Sequence, residues 1–429
     1  MMQKLLAWKL GVWSRLILWR YQPTIVAITG NAGKTTTKEA IAAVMATKYR
    51  VRATGGNLNN ELGIPATIIG DFAAQYYRTG GTLLFWLRVL VSAVRVLVRD
   101  TSYPQVLVLE FGADHPGDIK RLAKMFPPHI AVVTQVGDIP VHVEFFASPA
   151  ELAAEKAQIL KYLTPSDYAV LGYDDLTVLE MREKTKARTL TYGMGDGADV
   201  QVTNVQTRLE GTRPLGISFD VRVDRNTMPV VINGTLGSGM ARAAAAAVAV
   251  GSIMKIGLAT ASQALSDLRP PAGRLRVLEG IRGTVLIDDT YNASPAAMHL
   301  AIDSVRHIPA TRHVLVLGDM LELGSFSIQA HQAIGTMAAT VADVLVCVGE
   351  RGRFIADAAG NQMPATAIHW APDSLAAAQV VQHVIRAGDV VLVKGSQGMR
   401  MERIVEELLL QPEKASQLLV RQSALWLAK

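Results

Sequence analysis

The sequence predicts an α/β protein built as two successive units, each with a mostly parallel sheet. Three observations predict it. Short apolar runs alternate with helical periods along most of the chain, the pattern of a sheet covered on both faces. One such run, TIVAITG, is followed by the glycine-lysine turn GNAGKT and then a helix, which is a strand, phosphate loop and helix in sequence form. Finally, LRPPAGRL (268 to 275) interrupts the alternation, because its prolines and glycine end a helix and cannot continue a central strand.

The bulk composition agrees. At 429 residues the chain exceeds the roughly 250 to 300 residues at which one core stops growing. Half the residues are apolar and 19% are charged, a globular composition far from the disordered regime. Cys347 is the only cysteine, which excludes a disulfide framework and a cysteine zinc site and points to a reducing compartment. The formal charge of +6 is unevenly placed: Lys4, Lys9, Arg15 and Arg20 fall in the first 22 residues, which hold no acid. No basic tract interleaved with aromatics follows, so nucleic acid is not an expected partner.

Taken in order, residues 1–22 read as a basic helix with three tryptophans, the chemistry of the lipid headgroup zone. Basic residues interrupt its apolar stretch and no small-residue cleavage site follows, which argues against an export signal. Its four charges fall on two opposite sides of a helical wheel, not on one clean face. The segment 82–99 is a hydrophobic helix on which Arg88, Ser92, Arg95 and Arg99 form one narrow polar stripe. Two arginines within it make a membrane span too costly. Packing of both helices against the domain and peripheral contact with a membrane are the two readings left open.

From Pro23 the alternation runs through TIVAITG, the helix from Lys34, VLVLEFGA (106 to 113), a helix through DIKRLAKMF, and IAVVTQVG (130 to 137). Residues 186 to 235 change to period-two alternation and turns, a small antiparallel portion. An alanine-rich helix follows at 240 to 254. Beyond the proline break, TVLIDDT, HVLVLGD, DVLVCVG and DVVLVKG are the apolar runs of the second unit. The expected division is 1–22 for the basic helix, 23–268 for a central domain with the 82–99 insert, and 269–429 for the last.

The chemistry starts at the turn after TIVAITG. GNAGKT has two residues between its glycines, where the common phosphate loop has four. The context supplies what the spacing lacks, because backbone N–H groups and the positive end of the helix dipole converge on an anion there. Lys34 can bridge terminal phosphates and the Thr35 hydroxyl can bind Mg²⁺. Glu110, at the carboxyl end of the run VLVL, faces the crevice where ligands bind in open α/β sheets and is a candidate second metal ligand. The plain alternatives are a glycine turn into a threonine-initiated helix and a strand-end acid that caps a turn.

Taken together these pieces resemble the Mur ligase family, in the short G-x-x-G-K-T-T-T form of its loop. ATGGNLNNELGIPATII (53 to 69), VLEFGADHPGDIKRLA (108 to 123), LIDDTYNASPAAM (286 to 298), VLGDMLELG (316 to 324) with His331, and VLVKGSQGMRMERIVEEL (391 to 408) are similar to the branch that adds D-alanyl-D-alanine. The resemblance covers residues 24 to 408. It implies a central P-loop ATPase-like domain and a C-terminal Rossmann-like domain that brings the amine. It also implies a cytoplasmic ATP- and Mg²⁺-dependent ligase of peptidoglycan synthesis, in which ATP phosphorylates a muramoyl-peptide carboxylate and an amine displaces the phosphate.

Residue by residue, the resemblance implies that Gly30, Asn31, Ala32, Gly33, Lys34, Thr35 and Thr36 bind ATP, together with Arg274, Asp289 and Asn292. Thr35 and Glu110 are implied metal ligands, with His142 as the metal histidine and Lys156 as the lysine that is carbamylated in several members. Asn57, Asn59 and Asn60 fall on the substrate side, and Lys394 and Ser396 either there or in a structural role. Without the resemblance His142 reads as a loop histidine and Lys156 as a solvated helix residue.

Three departures bear on function. Only 22 residues precede the first strand, where the family carries a separate domain of roughly a hundred residues for the UDP-sugar; a lipid-linked acceptor would suit the two greasy helices and the inner face of the membrane. Gly239 and Ala243 stand where the family has a histidine and an adenine-facing asparagine, so hydrogen bonding to the base is weakened or relocated. Ser294 replaces an asparagine, and the stretch from Gly137 to His142 is two residues longer than usual. The favoured expectation is a monomeric D-alanyl-D-alanine-adding ligase. The competing ones are a related ligase with another, lipid-linked acceptor, and a nucleotide-binding protein without ligase activity.

Overall fold

A computed structural model describes residues 2–56, 58–99, 102–139 and 142–427. The first sheet contains β1 (Thr24–Thr29), β2 (Val51–Ala53), β3 (Val106–Glu110), β4 (Ile130–Val133), β5 (Tyr168–Gly172), β6 (Arg188–Gly193), β7 (Val200–Glu210), β8 (Arg213–Val223) and β9 (Asn226–Asn233). Their order is β2-β3-β1-β4-β5-β6-β7-β8-β9. It is parallel from β2 to β7 and antiparallel from β7 to β9. The sheet thus turns antiparallel where the sequence changes from continuous apolar runs to alternation.

The second sheet contains β10 (Arg276–Glu279), β11 (Val285–Asp289), β12 (Arg312–Gly318), β13 (Val344–Val348), β14 (Ile368–Ala371) and β15 (Asp389–Lys394). Its order is β10-β11-β15-β12-β13-β14. All neighbours are parallel except the edge pair β10 and β11.

Burial on both faces explains the apolar runs. In β1, Ile25 and Ala27 enter one core cluster while Val26 and Ile28 enter the other; in β3, Leu107 and Leu109 part from Val106 and Val108 in the same way. A period of two sends successive side chains to opposite faces, and each face needs a layer of helices. Five helices supply part of these layers: α1 (Met2–Tyr21), α2 (Lys34–Ala46), α3 (Gly63–Ile69), α4 (Ala73–Thr79) and α5 (Leu83–Arg99). On one face lie α1, α3 and α5, through Leu10, Ile17, Ile64, Phe85 and Val89 among others. On the other lie α2 and the alanine-rich helix Ser238–Ile253.

The outer surface of α1 differs from the wheel reading. At 100° per residue, Lys4 and Arg15 mark one edge of the exposed arc and Lys9 and Arg20 the other, with Trp8 and Trp19 between them. The charges border one face. Among the described residues no helix is long and apolar enough to cross a membrane.

Candidate active site

The phosphate loop lies at the carboxyl end of β1, where the sheet order reverses between β3 and β4 and a crevice opens above the strands. Gly30 is required by its surroundings: it sits at φ +138°, and a Cβ there would come within 2.1 Å of the Thr134 hydroxyl. Gly33 precedes α2 at φ 83° and no side chain caps that helix, so its first N–H groups are left to a ligand. The amides of Asn31 and Ala32 are used differently. They donate to the Gln135 carbonyl at 2.8 and 3.1 Å, and the Asn31 side chain donates to Val136 O at 3.0 Å, which ties the loop to the segment after β4.

Lys34 folds back over the loop, where its ammonium donates to Gly30 O at 2.8 Å and Asn31 O at 3.3 Å. Burial lowers its pKa, Glu110 and Asp114 oppose that shift, and Arg274 reinforces it. The Thr35 hydroxyl donates to Glu110 Oε2 at 3.1 Å, because the parallel register sets Ile28 beside Glu110 at the strand ends. A hydroxyl and a carboxylate oxygen converging beside an open helix terminus suit Mg²⁺, which takes oxygen donors. Among the described residues no group of three or more His, Cys, Asp or Glu side chains forms a metal cluster. The donor set here is therefore the Thr35–Glu110 pair.

Lys156 ends the helix Pro149–Lys156 and is 1% exposed. Burial pushes its amine down to about 7 and the charge of Lys34 adds to the shift, against Asp114, Glu155 and Asp118. The two lysines share an electrostatic site. His142 reaches the same group of charges through Asp114, which acts on both lysines: its Nε2 lies 3.8 Å from Asp114 Oδ1 and its Nδ1 2.6 Å from Glu322 Oε2. That contact with His142 holds the Glu322 carboxyl below its usual range and joins the loop after β4 to the loop after β12. Both residues adopt left-handed backbone, at φ 68° and 63°.

The second sheet brings its own groups to the loop. The Arg274 guanidinium stacks over the Tyr291 ring, 4.0 Å from its centroid, and the Tyr291 hydroxyl hydrogen-bonds Thr35. Asp289 pairs with the buried Lys394 at 2.6 Å and accepts from the Leu275 amide at 3.2 Å. Lys394 also donates to Asn292 O at 2.8 Å, the Asn292 side chain accepts from the Gln397 amide at 3.3 Å, and the Ser396 hydroxyl accepts from the Leu321 amide at 2.8 Å. Lys394 and Ser396 thus hold the turns that carry Asn292 and Glu322.

On the opposite side, Asn59 packs on Gly112, whose amide donates to Asn59 O at 2.9 Å. Just before α3, the Asn60 side chain accepts from the amides of Leu62 and Gly63 at 3.1 and 3.0 Å. Asn57 lies outside the described residues. Beside the loop a cleft of about 120 Å³ is lined by Gly33, Asp174, Tyr192, Gly239, Ala243 and Leu300 among others. Arg242 and Asp174 pair across its rim at 2.7 Å. The two small residues that depart from the family's pattern therefore face open space beside the phosphate loop.

Asp114, Tyr291 and Glu322 were not singled out from the sequence, although each lies inside a motif that was. Arg421 had no signal at all. It donates to the carbonyls of Thr290 and Tyr291, pairs with Glu402 at 2.7 Å, and so fixes the backbone below the Tyr291 ring.

Comparison with known proteins agrees with this layout. Residues 28–74 and 93–250 match the Mur ligase middle domain, and residues 273–397 match the Mur ligase, glutamate ligase domain. The UDP-N-acetylmuramoyl-tripeptide–D-alanyl-D-alanine ligase of Bacillus subtilis is 30% identical over 390 residues, 90% of this chain and 76% of the relative. That of Mycobacterium tuberculosis H37Rv is 32% identical over 410 residues, 90% of this chain and 73% of the relative. Among solved structures, the MurF ligase from Thermotoga maritima in complex with ADP superposes with a TM-score of 0.76 at 27% identity, covering 96% of this chain and 84% of that one. Residues 75–92, most of α4 and the first half of α5, fall outside the matched ranges.

Proposed function

The chain belongs to the Mur ligase family of ATP-dependent, amide-forming ligases, and from that membership we propose that it adds D-alanyl-D-alanine to the carboxylate of a muramoyl tripeptide in peptidoglycan precursor synthesis. The observation that carries the site assignment is the convergence of Lys34, the Thr35–Glu110 pair and Lys156 at the open end of α2.

In this reading the triphosphate lies along Gly30 to Thr36, with the first amides of α2 on its oxygens. Lys34 leaves the carbonyls of Gly30 and Asn31 for the terminal phosphate, and Arg274 adds a second positive charge from the other sheet. An oxygen of the acceptor carboxylate attacks the terminal phosphorus and the bond to ADP breaks. The amine then attacks the acyl carbon, the carbon–oxygen bond to phosphate breaks, and the ammonium proton passes to solvent. Little covalent work falls to the protein, so positioning and charge neutralisation are its contribution. We assign Mg²⁺ to Thr35 and Glu110, with a second ion for His142 and carbamylated Lys156; when bound, such ions neutralise phosphate charge. Asp289 and Asn292 face the nucleotide, held by Lys394 and the Gln397 amide, and Asn59 and Asn60 face the acceptor.

Phosphate release tests this reading. Turnover is expected only when ATP, a muramoyl-tripeptide acceptor and D-alanyl-D-alanine are all present; nucleotide binding without turnover in that mixture would replace ligase by binding protein. ATP and activated precursors are supplied in the cytoplasm, and we place the monomeric enzyme there, at the inner face of the membrane, with peripheral contact through 1–22 and 82–99.

A further inference from the structure

We propose that α1 and α5 together form a docking face for an anionic lipid bilayer, which sets the acceptor loop beside the membrane surface. The proposal rests on the ligase reading only in naming the loop at 53–62 as the acceptor's. Both helices bury their inner sides in one core cluster, α1 through Leu10 and Ile17 and α5 through Phe85, Trp86, Val89 and Ala93. They touch each other, and the Tyr21 hydroxyl donates to Val96 O at 2.5 Å. Their outer sides therefore form one surface.

That surface is apolar at its centre and basic at its edges. On α1, Leu5, Trp8, Leu16 and Trp19 are exposed, Trp19 to 77%, and the four cations border them. On α5, Leu83, Leu84, Leu87, Val91, Val94 and Val98 are all exposed, Leu83 to 82%. At 100° per residue these six fill a continuous arc of about 100°, and Arg88, Arg95 and Arg99 occupy the adjoining arc. Neither helix carries an acidic residue.

Exposed apolar residues of this number need a partner. An in-plane helix with tryptophans and leucines toward the acyl boundary and cations toward lipid phosphates is the form that interfacial helices take. A second copy of the chain is a poor occupant, because it would bring seven cations against seven with no acid on either helix. The first half of α5 also lies in the stretch that the family's middle domain does not match.

Placement gives the face its use. α4 joins α5 to the acceptor loop and packs on it closely: a Cβ at Gly55 would come within 2.3 Å of Ala73 Cβ, and one at Gly56 within 2.4 Å of the Tyr77 hydroxyl. A bilayer against α5 is thus one short helix away from that loop, an arrangement suited to an acceptor carried on a lipid.

Vesicle flotation of the full chain tests this. We expect flotation with phosphatidylcholine vesicles containing about one third phosphatidylglycerol, and little with phosphatidylcholine alone. Leu87→Glu with Val91→Glu, and separately Trp8→Ala with Trp19→Ala, should each reduce partitioning at least about ten-fold, while turnover on a water-soluble acceptor stays within about two-fold. Absence of flotation with the anionic vesicles, or equal flotation of both variants, overturns the proposal. So does a dimer in solution that Leu87→Glu with Val91→Glu dissociates, and so does an acidic protein partner that binds the face while vesicles do not. Flotation without any ligase turnover would instead sink the ligase reading and leave the docking face standing.

Discussion

Replacing Lys156 by methionine removes a buried amine while keeping its length, and the structure states what that amine should do. Carbon dioxide combines only with an uncharged amine, forming an N–C bond as a proton leaves the nitrogen. Burial pushes Lys156 down to about 7 from the ordinary 10.5. At pH 8 such a group is about nine-tenths neutral, against about three parts in a thousand for an ordinary lysine, so the reactive form is enriched roughly three-hundred-fold. Carbamate formation should rise with pH through about 7 and flatten above it. The uncarbamylated lysine also affects stability: its folded pKa lies below the unfolded one, the unfolded chain holds more protons between about 7 and 10.5, and stability must rise with pH across that window. Lys156→Met should therefore unfold at a higher temperature than wild type at pH 7 in CO2-free buffer, with the difference shrinking toward pH 10. NMR with ¹³C-bicarbonate should give a carbamate resonance in wild type and none in Lys156→Met, and turnover should fall by about two orders of magnitude in the variant. A resonance that survives the substitution, or wild-type turnover indifferent to CO2 removal, would refute this reasoning.

Other perturbations have equally definite outcomes. Lys34→Ala should lower ATP turnover by two or more orders of magnitude, roughly the loss of one transition-state charge contact, with the fold retained by circular dichroism; a normal rate would remove Lys34 from the site. Gly30→Ala sets a Cβ against Thr134 at a backbone angle that disfavours any side chain, and should cost on the order of 2 kcal/mol in denaturant unfolding as well as nucleotide binding. Asp288 is raised by burial from 3.8 to about 6 despite bonds from Thr290 and Gly273. Its folded form holds the extra proton between those values, so its contribution to stability declines as pH rises through that window. The stability difference between wild type and Asp288→Asn should therefore change by about 3 kcal/mol between pH 4 and pH 6.5, and a constant difference would contradict the burial argument.

Local signals account for much of what was legible. β1, the loop and α2 are contiguous, and a β-branched run followed by glycines, a lysine and threonines leaves few other conformations, so the phosphate loop was readable from 16 residues. Glu110 was readable for a related reason: parallel strands end together, which puts a strand-end acid opposite the loop, and it stands 3.1 Å from Thr35. The long helices at the start and at 83–99 followed from length and composition.

The remainder depended on packing between distant segments. Tyr291 reaches Thr35, Glu322 reaches His142, and Arg421 supports Tyr291; none of these pairs is close in sequence, and no period or turn rule relates them. The outer helices make the same point. Periodicity places the arginines of α5 on one stripe, but a helix apolar on most of its circumference does not reveal which apolar side is covered. Only the neighbouring core decides that Phe85 and Val89 go in while Leu83 and Leu84 stay out, because burial is a property of the surfaces that meet and not of the helix alone. By itself the sequence determined the two mostly parallel α/β sheets and the strand, glycine turn and helix of residues 24 to 46. Tertiary structure decided which charges share a site and which hydrophobic face is left exposed.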